Sequence, residues 1–170
     1  MGYLKDKSVY LCGAINVTLE KDYGVGWRDS ISSALESFGV IVLNPCKDGA
    51  GDSEQDQIHF KALIKDRKFD QLKKEFYRVI RKDLKAVDKS DFLIFYHNPI
   101  IPTIGSIHEV INANIQKKPI LVLCDEEYID RLNPWLLTLI KPQWLFTNRM
   151  DMFKYLTSID SGNIDTSHWW

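Results

Sequence analysis

The sequence has few of the patterns that identify a secreted or membrane protein. Its three cysteines, Cys12, Cys46 and Cys124, cannot all pair with one another, and they include no Cys-x-x-Cys pair. Because Cys12 and Cys124 lie in apolar runs, where a thiol behaves as a small core residue, we expect free thiols in a reducing compartment. Residues Met1 to Lys7 are too polar for a signal peptide, and no apolar run approaches membrane-spanning length. We therefore expect a soluble, cytoplasmic protein.

The chain also lacks an excess of charge. Its formal net charge is -1, so no global field favours a nucleic acid or an anionic membrane as the partner. Hydrophobic residues make up 45% and charged residues 26% of the 170 residues, which is the balance of a globular protein with a buried core. We expect a single domain over residues 1–170, and the low net charge still allows a small phosphorylated ligand, which needs only a few local donors.

Several motifs for well-known chemistry are missing. Gly24-Val25-Gly26 precedes a helical pattern but lacks the third glycine of a dinucleotide-binding fingerprint. The four histidines are scattered, and the adjacent His108 and Glu109 point in different directions on a helix, so no metal site is predicted. A Gly-x-Ser-x-Gly elbow of serine hydrolases is also absent.

What the chain does have is a regular alternation of short apolar runs and amphipathic segments. The runs predict strands at Ser8–Ala14, Val40–Leu43, Phe92–Tyr96, Pro119–Cys124 and Trp144–Thr147. Helical spacing predicts helices at Trp27–Phe38, Ile58–Val87 with a break near Arg67, Ile104–Gln116, Tyr128–Ile140 interrupted by Pro134, and Met150–Ser158. Lys47–Gln57 is rich in Gly, Asp and Ser and is predicted to be a loop. Such alternation indicates a parallel sheet with helices on both faces.

Ligands of such sheets bind at the carboxyl ends of the strands, which directs attention to Glu109. Glu109 lies in the first turns of the helix that follows Phe92–Tyr96, where the helix N-terminus favours an ionised carboxylate. An ionised carboxylate there can attack a sugar carbon and stabilise the positive charge that develops on the ring. The ordinary alternative is a capping box, Ser106-x-x-Glu109, in which the carboxylate accepts the Ser106 backbone N–H.

The other candidates also have a structural and a functional interpretation. Asp83 and Asp88 are typical solvated charges of a helix, but Asp83 could instead hydrogen-bond or protonate a leaving base. Tyr10 is either a core residue or a hydroxyl that orients the catalytic carboxylate. Trp27 either anchors its helix or stacks on a nucleobase. Arg28 is either a surface charge or a contact for a phosphate or carboxylate.

These segments occur in the order seen in a known family. The similar segments are Val9-Tyr10-Leu11-Cys12-Gly13-Ala14-Ile15, Gly26-Trp27-Arg28, Val42-Leu43-Asn44-Pro45, Arg81-Lys82-Asp83-Leu84, Ser90–Tyr96 and Thr103-Ile104-Gly105-Ser106-Ile107-His108-Glu109. Over most of Val9–Cys124 the sequence resembles the nucleoside 2-deoxyribosyltransferase superfamily, which includes 2'-deoxynucleoside 5'-phosphate N-hydrolases and CMP hydrolases. The resemblance implies a flavodoxin-like (Rossmann-like) sandwich with a mainly parallel five-stranded sheet. It also implies a homo-oligomer and no metal or organic cofactor.

The resemblance assigns roles to individual residues. Glu109 corresponds to the nucleophile, Tyr10 to the tyrosine that orients it, and Asp83 to the aspartate near the base. The residues expected to bind substrate are Gly13, Ala14, Ile15, Trp27, Arg28, Asn44, Asp88, Thr103, Gly105 and Ser106. In this family the glycosyl-enzyme is resolved by a second base, which is transfer, or by water, which is hydrolysis.

The chain departs from the family pattern at two places. Transferases of free nucleosides often carry Asp six residues before the catalytic Glu, and the nucleotide hydrolases carry Ser, whereas this chain has Thr103. Thr103, Gly105 and Ser106 at a helix N-terminus would suit a 5'-phosphate. The second departure is a polar insertion at about 45–80, which would form a lid, a wall of the substrate pocket or a subunit contact.

The sequence therefore predicts an enzyme that cleaves an N-glycosidic bond through a glycosyl-Glu109 intermediate. The Gly-Trp-Arg and Asn-Pro features resemble family branches usually described as transferases, so the resemblance favours transfer of the sugar of a nucleoside or nucleoside monophosphate to another base. The alternatives are a nucleoside 5'-monophosphate N-glycosidase, and a nucleotide-binding or sensing module without turnover. An interaction protein that uses the charged segment Lys61–Lys85 is a further alternative.

Overall fold

A fully parallel, five-stranded sheet runs through the centre of the protein. The computed structural model describes residues 2–15, 25–47, 54–167 and 169. The strands are β1 (Ser8–Gly13), β2 (Ile41–Leu43), β3 (Phe92–Tyr96), β4 (Ile120–Leu123) and β5 (Leu145–Phe146), in the order β2-β1-β3-β4-β5. This is the flavodoxin-like order. The predicted α/β fold with a parallel five-stranded sheet is confirmed.

Helices connect the strands. They are α1 (Val25–Ser37), α2 (Glu54–Lys65), α3 (Phe69–Lys89), α4 (Ile104–Ile115), α5 (Pro134–Leu139) and α6 (Arg149–Asp160). The chain moves from β1 outward to β2 and then returns past β1 to β3, so the topological switch point lies between β1 and β3. Ligands of this fold bind at the carboxyl ends of those two strands. None of the described helices is apolar over a length that would cross a bilayer.

The strands alternate their side chains between two cores. On one face, Val9 and Leu11 of β1 pack with α1 and α6 in a buried cluster. On the other face, Tyr10 and Cys12 pack with residues of α3, α4 and α5. This period of two follows from the pleat of a strand and confirms the predicted helices on both faces of the sheet.

The segment between β2 and β3 forms a helical hairpin. The predicted break near Arg67 is confirmed, since α2 ends at Lys65, α3 begins at Phe69, and Arg67 has a left-handed φ of 55°. A small cluster of its own holds the hairpin together, made of Phe60, Leu63 and Val79 with Leu72 and Phe76 packed against it. Helix α2 begins at Glu54, so the last residues of the predicted loop Lys47–Gln57 are helical. Residues 48–53 of that loop lie outside the described residues.

Pro134 does not interrupt a helix, as the sequence pattern predicted, but begins one. A 3-10 helix at Glu126–Arg131 ends before it, and Pro134 is the first residue of α5. Proline suits that position because its missing N–H would have no partner in the first turn. Asn133 caps the helix by accepting the Trp135 N–H at 2.8 Å.

The aromatic C-terminal segment packs on the body of the protein. Trp169 is only 5% exposed, and its ring centroid lies 5.6 Å from that of Phe92 and 5.8 Å from that of Trp144. Its neighbours His168 and Trp170 lie outside the described residues.

Candidate active site

Strand β1 and helix α4 meet at the carboxylate of Glu109. The Tyr10 hydroxyl donates to Glu109 Oε1 at 3.1 Å, and the Cys12 thiol donates to Glu109 Oε2 at 3.1 Å. Each carboxylate oxygen therefore has one donor, and both donors come from the same strand. Because β1 borders the switch point, the carboxylate is held near the place where this fold binds its ligands.

Cys12 is a contact of Glu109 that the sequence interpretation missed. It was assigned to the core, and it is indeed fully buried, but its thiol reaches both Glu109 and the Ser106 carbonyl, the latter at 3.5 Å. The signal was present in the sequence. Residues two positions apart on a strand point to the same face, so a Tyr10 that faces Glu109 brings Cys12 with it.

The pKa of Glu109 is raised. Burial among β1, α3 and α4 is the main cause and, with the nearby charge of Asp83, brings the pKa from the ordinary 4.5 to about 7, although the donors Cys12 and Tyr10 act in the opposite direction. The expectation that the helix N-terminus keeps this group ionised is therefore wrong. Glu109 lies in the second turn of α4, beyond the first turn where the helix dipole acts, and desolvation is the larger effect.

The capping-box interpretation of Glu109 is also wrong. Helix α4 begins at Ile104, and its N-cap residue is Thr103, so Ser106 lies inside the helix and cannot be its cap. Ser106 is buried, and the Glu109 carboxylate bonds to β1 instead. The carboxylate consequently has no part in starting the helix.

Asp83 lies close enough to act on Glu109. It sits on α3, is 9% exposed, and its charge raises the pKa of both Glu109 and Tyr10. Burial is the larger cause of the raised Tyr10 pKa, which keeps that hydroxyl protonated as a donor. Lys82 Nζ lies 3.6 Å from Asp83 Oδ1 and also donates to the Pro45 carbonyl at 3.3 Å. Asp83 is thus a buried neighbour of the carboxylate rather than a solvated surface charge.

Arg28 is a buried structural residue and not the surface charge that its sequence context suggested. It is fully buried, and its guanidinium donates to the carbonyls of Leu11 at 3.2 Å, Gly13 at 2.8 Å and Ala14 at 3.4 Å. These bonds fix the backbone at the end of β1. Arg28 therefore shapes the turn at the switch point.

Trp27 and Gly13 pack against each other at this turn. Trp27 is 6% exposed, and its ring centroid lies 5.3 Å from that of Tyr96 on β3. A Cβ on Gly13 would lie 2.9 Å from Trp27 Cζ2 and 2.9 Å from the Tyr96 carbonyl oxygen. Glycine is required here for close packing, and Trp27 serves as a core anchor. Ala14 and Ile15 follow, both half-buried, directly before residues 16–24, which the structure does not describe.

Asn44 lies at the carboxyl end of β2, beside β1. It is 4% exposed, and its Oδ1 accepts the Cys46 N–H at 3.0 Å. Its Nδ2 has no hydrogen-bond partner within the described part of the chain. Gly105, in the first turn of α4, is exposed with open space around it.

One predicted ligand, Asp88, is not brought to Glu109. Asp88 lies just ahead of β3, at the amino edge of the sheet, where its carboxylate accepts from Asn112 Nδ2 at 3.2 Å and Gln116 Nε2 at 2.7 Å. It links α3 to α4 at the end opposite the switch point. Thr103 is the N-cap residue of α4, and its side chain makes no capping bond. Among the described residues, no group of three or more His, Cys, Asp or Glu side chains is arranged to hold a metal ion.

Comparison with solved structures identifies the fold. A 2-deoxyribosyltransferase from Bacillus psychrosaccharolyticus, described as a biocatalyst for nucleoside synthesis, matches with a TM-score of 0.57 and 14% identity over 95% of each chain. A 2-deoxyribosyltransferase from Leishmania mexicana matches with a TM-score of 0.55 and 15% identity, covering 89% of this chain and 97% of that one.

A conserved protein from Enterococcus faecalis V583 is also similar. Its TM-score is 0.61 and its identity 13%, covering 90% of this chain and 98% of that one. No protein-family model and no curated protein matches the sequence. The resemblance seen in the sequence is thus supported at the level of the fold, which this chain shares with 2-deoxyribosyltransferases.

Proposed function

We propose that this protein cleaves the N-glycosidic bond of a (deoxy)nucleoside or nucleoside 5'-monophosphate and transfers the sugar to another nucleobase. One observation carries the proposal, namely the Glu109 carboxylate held by Tyr10 and Cys12 beside the β1/β3 switch point. The removal of the capping role strengthens it, because a half-buried carboxylate with a strongly raised pKa and no role in starting a helix is typical of a functional group. The shared fold with 2-deoxyribosyltransferases is consistent with it.

In the first step, Glu109 acts as the nucleophile. One carboxylate oxygen attacks C1' of the sugar and forms an ester bond, while the C1'–N bond breaks and its electron pair goes to the base nitrogen. Asp83, buried close to Glu109, is the residue proposed to hydrogen-bond or protonate the departing base. Tyr10 and Cys12 keep the carboxylate in one orientation throughout this step.

In the second step, an acceptor releases the sugar. A nitrogen of the incoming base attacks C1', the ester bond breaks, and Glu109 leaves as a carboxylate. Attack by water instead of a base gives the free sugar or sugar phosphate, which is the hydrolase alternative. No metal or organic cofactor is needed for either step.

The substrate is proposed to lie against the carboxyl ends of β1, β2 and β3. The backbone of Gly13–Ile15, fixed by Arg28, would form one wall, with Trp27 behind it. Asn44 has a buried amide nitrogen without a hydrogen-bond partner in the described structure, which suits a contact to a base or sugar. Gly105 and Ser106 at the start of α4 are the proposed neighbours of the 5' position, whereas the placement of Asp88 gives no support to a role in binding.

Base exchange tests this proposal directly. The purified protein is incubated with a deoxynucleoside or its 5'-monophosphate, with and without a second base, and the products are identified by liquid chromatography and mass spectrometry. We expect a new nucleoside only when the second base is present. Glu109→Gln should lower the rate by about a thousandfold or more, since a nucleophile cannot be replaced by an amide.

The control is a carboxylate outside the site. Glu127 is exposed after β4, and Glu127→Gln should leave the rate unchanged. Free sugar or sugar phosphate as the main product in both incubations would assign hydrolysis instead of transfer. Binding of nucleotides without any base release, unchanged in Glu109→Gln, would support the non-catalytic module and refute the enzyme.

Self-association, location and the role of the insertion are also part of the proposal. Ile104 and Ile115 on α4 are 86% and 73% exposed, so this face of α4 suits a homo-oligomeric contact. Cys12, Cys46 and Cys124, all within the described residues, form no disulfide, which is consistent with the proposed reducing, cytoplasmic location. The α2–α3 hairpin remains a proposed lid, pocket wall or subunit contact.

A further inference from the structure

A cavity lies between α4 and the segment that follows β4. We call it the α4–α5 cavity; its volume is about 410 Å³, in the range of pockets that hold small molecules. Its walls are mainly apolar and include Ile101, Ile107, Val110, Ile111, Leu136 and Leu139. Nothing in the proposed transferase chemistry uses this space.

The cavity is separate from the Glu109 site. Ile107 and Ile111 lie two positions before and two positions after Glu109 on α4. At about 3.6 residues per turn, they face the side of the helix roughly opposite Glu109. Glu109 contacts β1 and faces α3, whereas the cavity lies on the α5 side. One helix thus separates two different sites.

Two residues of the cavity lining, His97 and Thr103, each have a buried polar atom without a partner among the described residues. His97 is 7% exposed, and its Nδ1 has no hydrogen-bond partner among the described residues; the same is true of the buried Thr103 Oγ1. Burial lowers the His97 pKa to about 4, so the ring is neutral near pH 7. The arrangement is typical of a ligand site, where a few polar groups fix the orientation of an apolar body.

Three polar residues of the cavity lining lie in segments that follow the carboxyl ends of strands. His97 directly follows β3, Thr103 is the N-cap residue of α4, and Arg131 ends the 3-10 helix after β4. Arg131 is exposed and is part of the cavity lining. We propose that the α4–α5 cavity is a second ligand site for a small molecule with an aromatic or branched apolar body and a single anionic group. The anion pairs with Arg131, and the apolar body enters between α4 and α5.

The probe that matches this chemistry is 1-anilinonaphthalene-8-sulfonate, which has aromatic rings and one sulfonate. Isothermal titration of the full chain should show saturable binding of one molecule per chain. Ile111→Trp fills the cavity and should weaken binding by about tenfold or more. His97→Phe keeps a ring against Phe95 but removes the unpartnered nitrogen, and Arg131→Gln removes the exposed cation of the cavity lining; both should weaken binding several-fold.

Matched controls lie on the hairpin. Ile64→Trp on α2 and Arg78→Gln on α3 make the same changes at exposed positions away from the cavity, and binding should be unchanged. Thermal unfolding of every variant verifies the fold, and His97→Phe carries the test if Ile111→Trp does not fold. Unsaturable binding, or equal affinity in the cavity variants and the controls, would overturn the proposal. The result does not depend on glycosidic bond cleavage, because the probe has no such bond.

Discussion

At the scale of single residues, the central feature is the Glu109 carboxylate, whose pKa is raised by burial to a value near neutral pH. A Glu109 pKa of about 7 means that protonated and ionised forms coexist at neutral pH. Only the ionised form can attack C1', so the rate of base release should rise with pH through this pKa. Burial raises the Glu109 pKa, and the hydrogen bonds from Tyr10 and Cys12 lower it because they stabilise the ionised form.

Cys12 therefore offers a specific prediction. Cys12→Ala removes one donor to Glu109, so the rising limb of the pH–rate profile should move to higher pH, by about 0.5 to 1 unit for a weak thiol donor. Cys12→Ser keeps a donor and should restore the position of the limb. Carbon-13 NMR of labelled Glu carboxylates, with Glu109 assigned through Glu109→Gln, should give the same order of pKa values without any need for turnover.

Cys124 provides the comparison for this experiment. It is also a buried thiol and follows β4, but it bonds to the Asp125 carbonyl and not to Glu109. Cys124→Ala should leave the Glu109 titration where it is. If the Cys12 and Cys124 variants titrate alike, Cys12 only fills space and does not position the carboxylate.

At the scale of elements, β1 positions the site, because its side chains contact Glu109 and the turn that follows it is part of the same region. Tyr10 and Cys12 hold Glu109, while the turn after the strand is fixed by Arg28 and closed by Trp27. The sequence predicted this strand, and β3 with its bounds unchanged, because continuous apolar runs are a strong signal. It also predicted the start of α4 at Ile104, where the structure has it, so the alternative of a capping box at Ser106 was wrong because Ser106 lies inside the helix.

The need for glycine at the end of β1 can be tested with Gly13→Ala, and Gly105→Ala in α4 serves as the control. Gly13→Ala would place a methyl group 2.9 Å from both Trp27 and the Tyr96 backbone, so we expect a loss of about 1 to 3 kcal/mol in the free energy of unfolding. Gly105→Ala meets nothing within 4 Å and lies in a helix, so it should be neutral or gain up to about 1 kcal/mol. Denaturant unfolding measures both. Equal effects would show that the turn relaxes and that glycine is not required there.

At the scale of the whole molecule, the strand order could be predicted from the sequence, whereas the contacts of the termini and loops could not. Alternation of strands and helices restricts the topology, and the resemblance then selects the flavodoxin-like order. The burial of Arg28 could not be predicted, because it depends on carbonyls that only the folded turn brings together. The position of Asp83 near the base was predicted from the resemblance alone, because the many charged residues around it predict a solvent-exposed helix face.

A substitution of Trp169 tests whether the packing of the C-terminal segment contributes to the stability of the fold. It packs on Phe92 of the central strand β3 and on Trp144, so Trp169→Ala should lower the free energy of unfolding by about 3 kcal/mol. Trp135→Ala removes an indole that is 74% exposed and should cost less than about 0.5 kcal/mol. Denaturant unfolding at fixed protein concentration separates the two. A small effect at Trp169 would place the segment outside the folding unit.

The residues of α3 are divided between two packing clusters, and this division affects which part of the protein can unfold locally. Leu72, Phe76 and Val79 belong to the hairpin cluster, whereas Val87 belongs to the core beneath the sheet. The amino-terminal half of α3 and all of α2 can therefore exchange their amide hydrogens through a local opening that leaves the sheet intact. Asp83 lies where the two halves meet, so such an opening would expose one side of the Glu109 site while β1 still held the carboxylate in place.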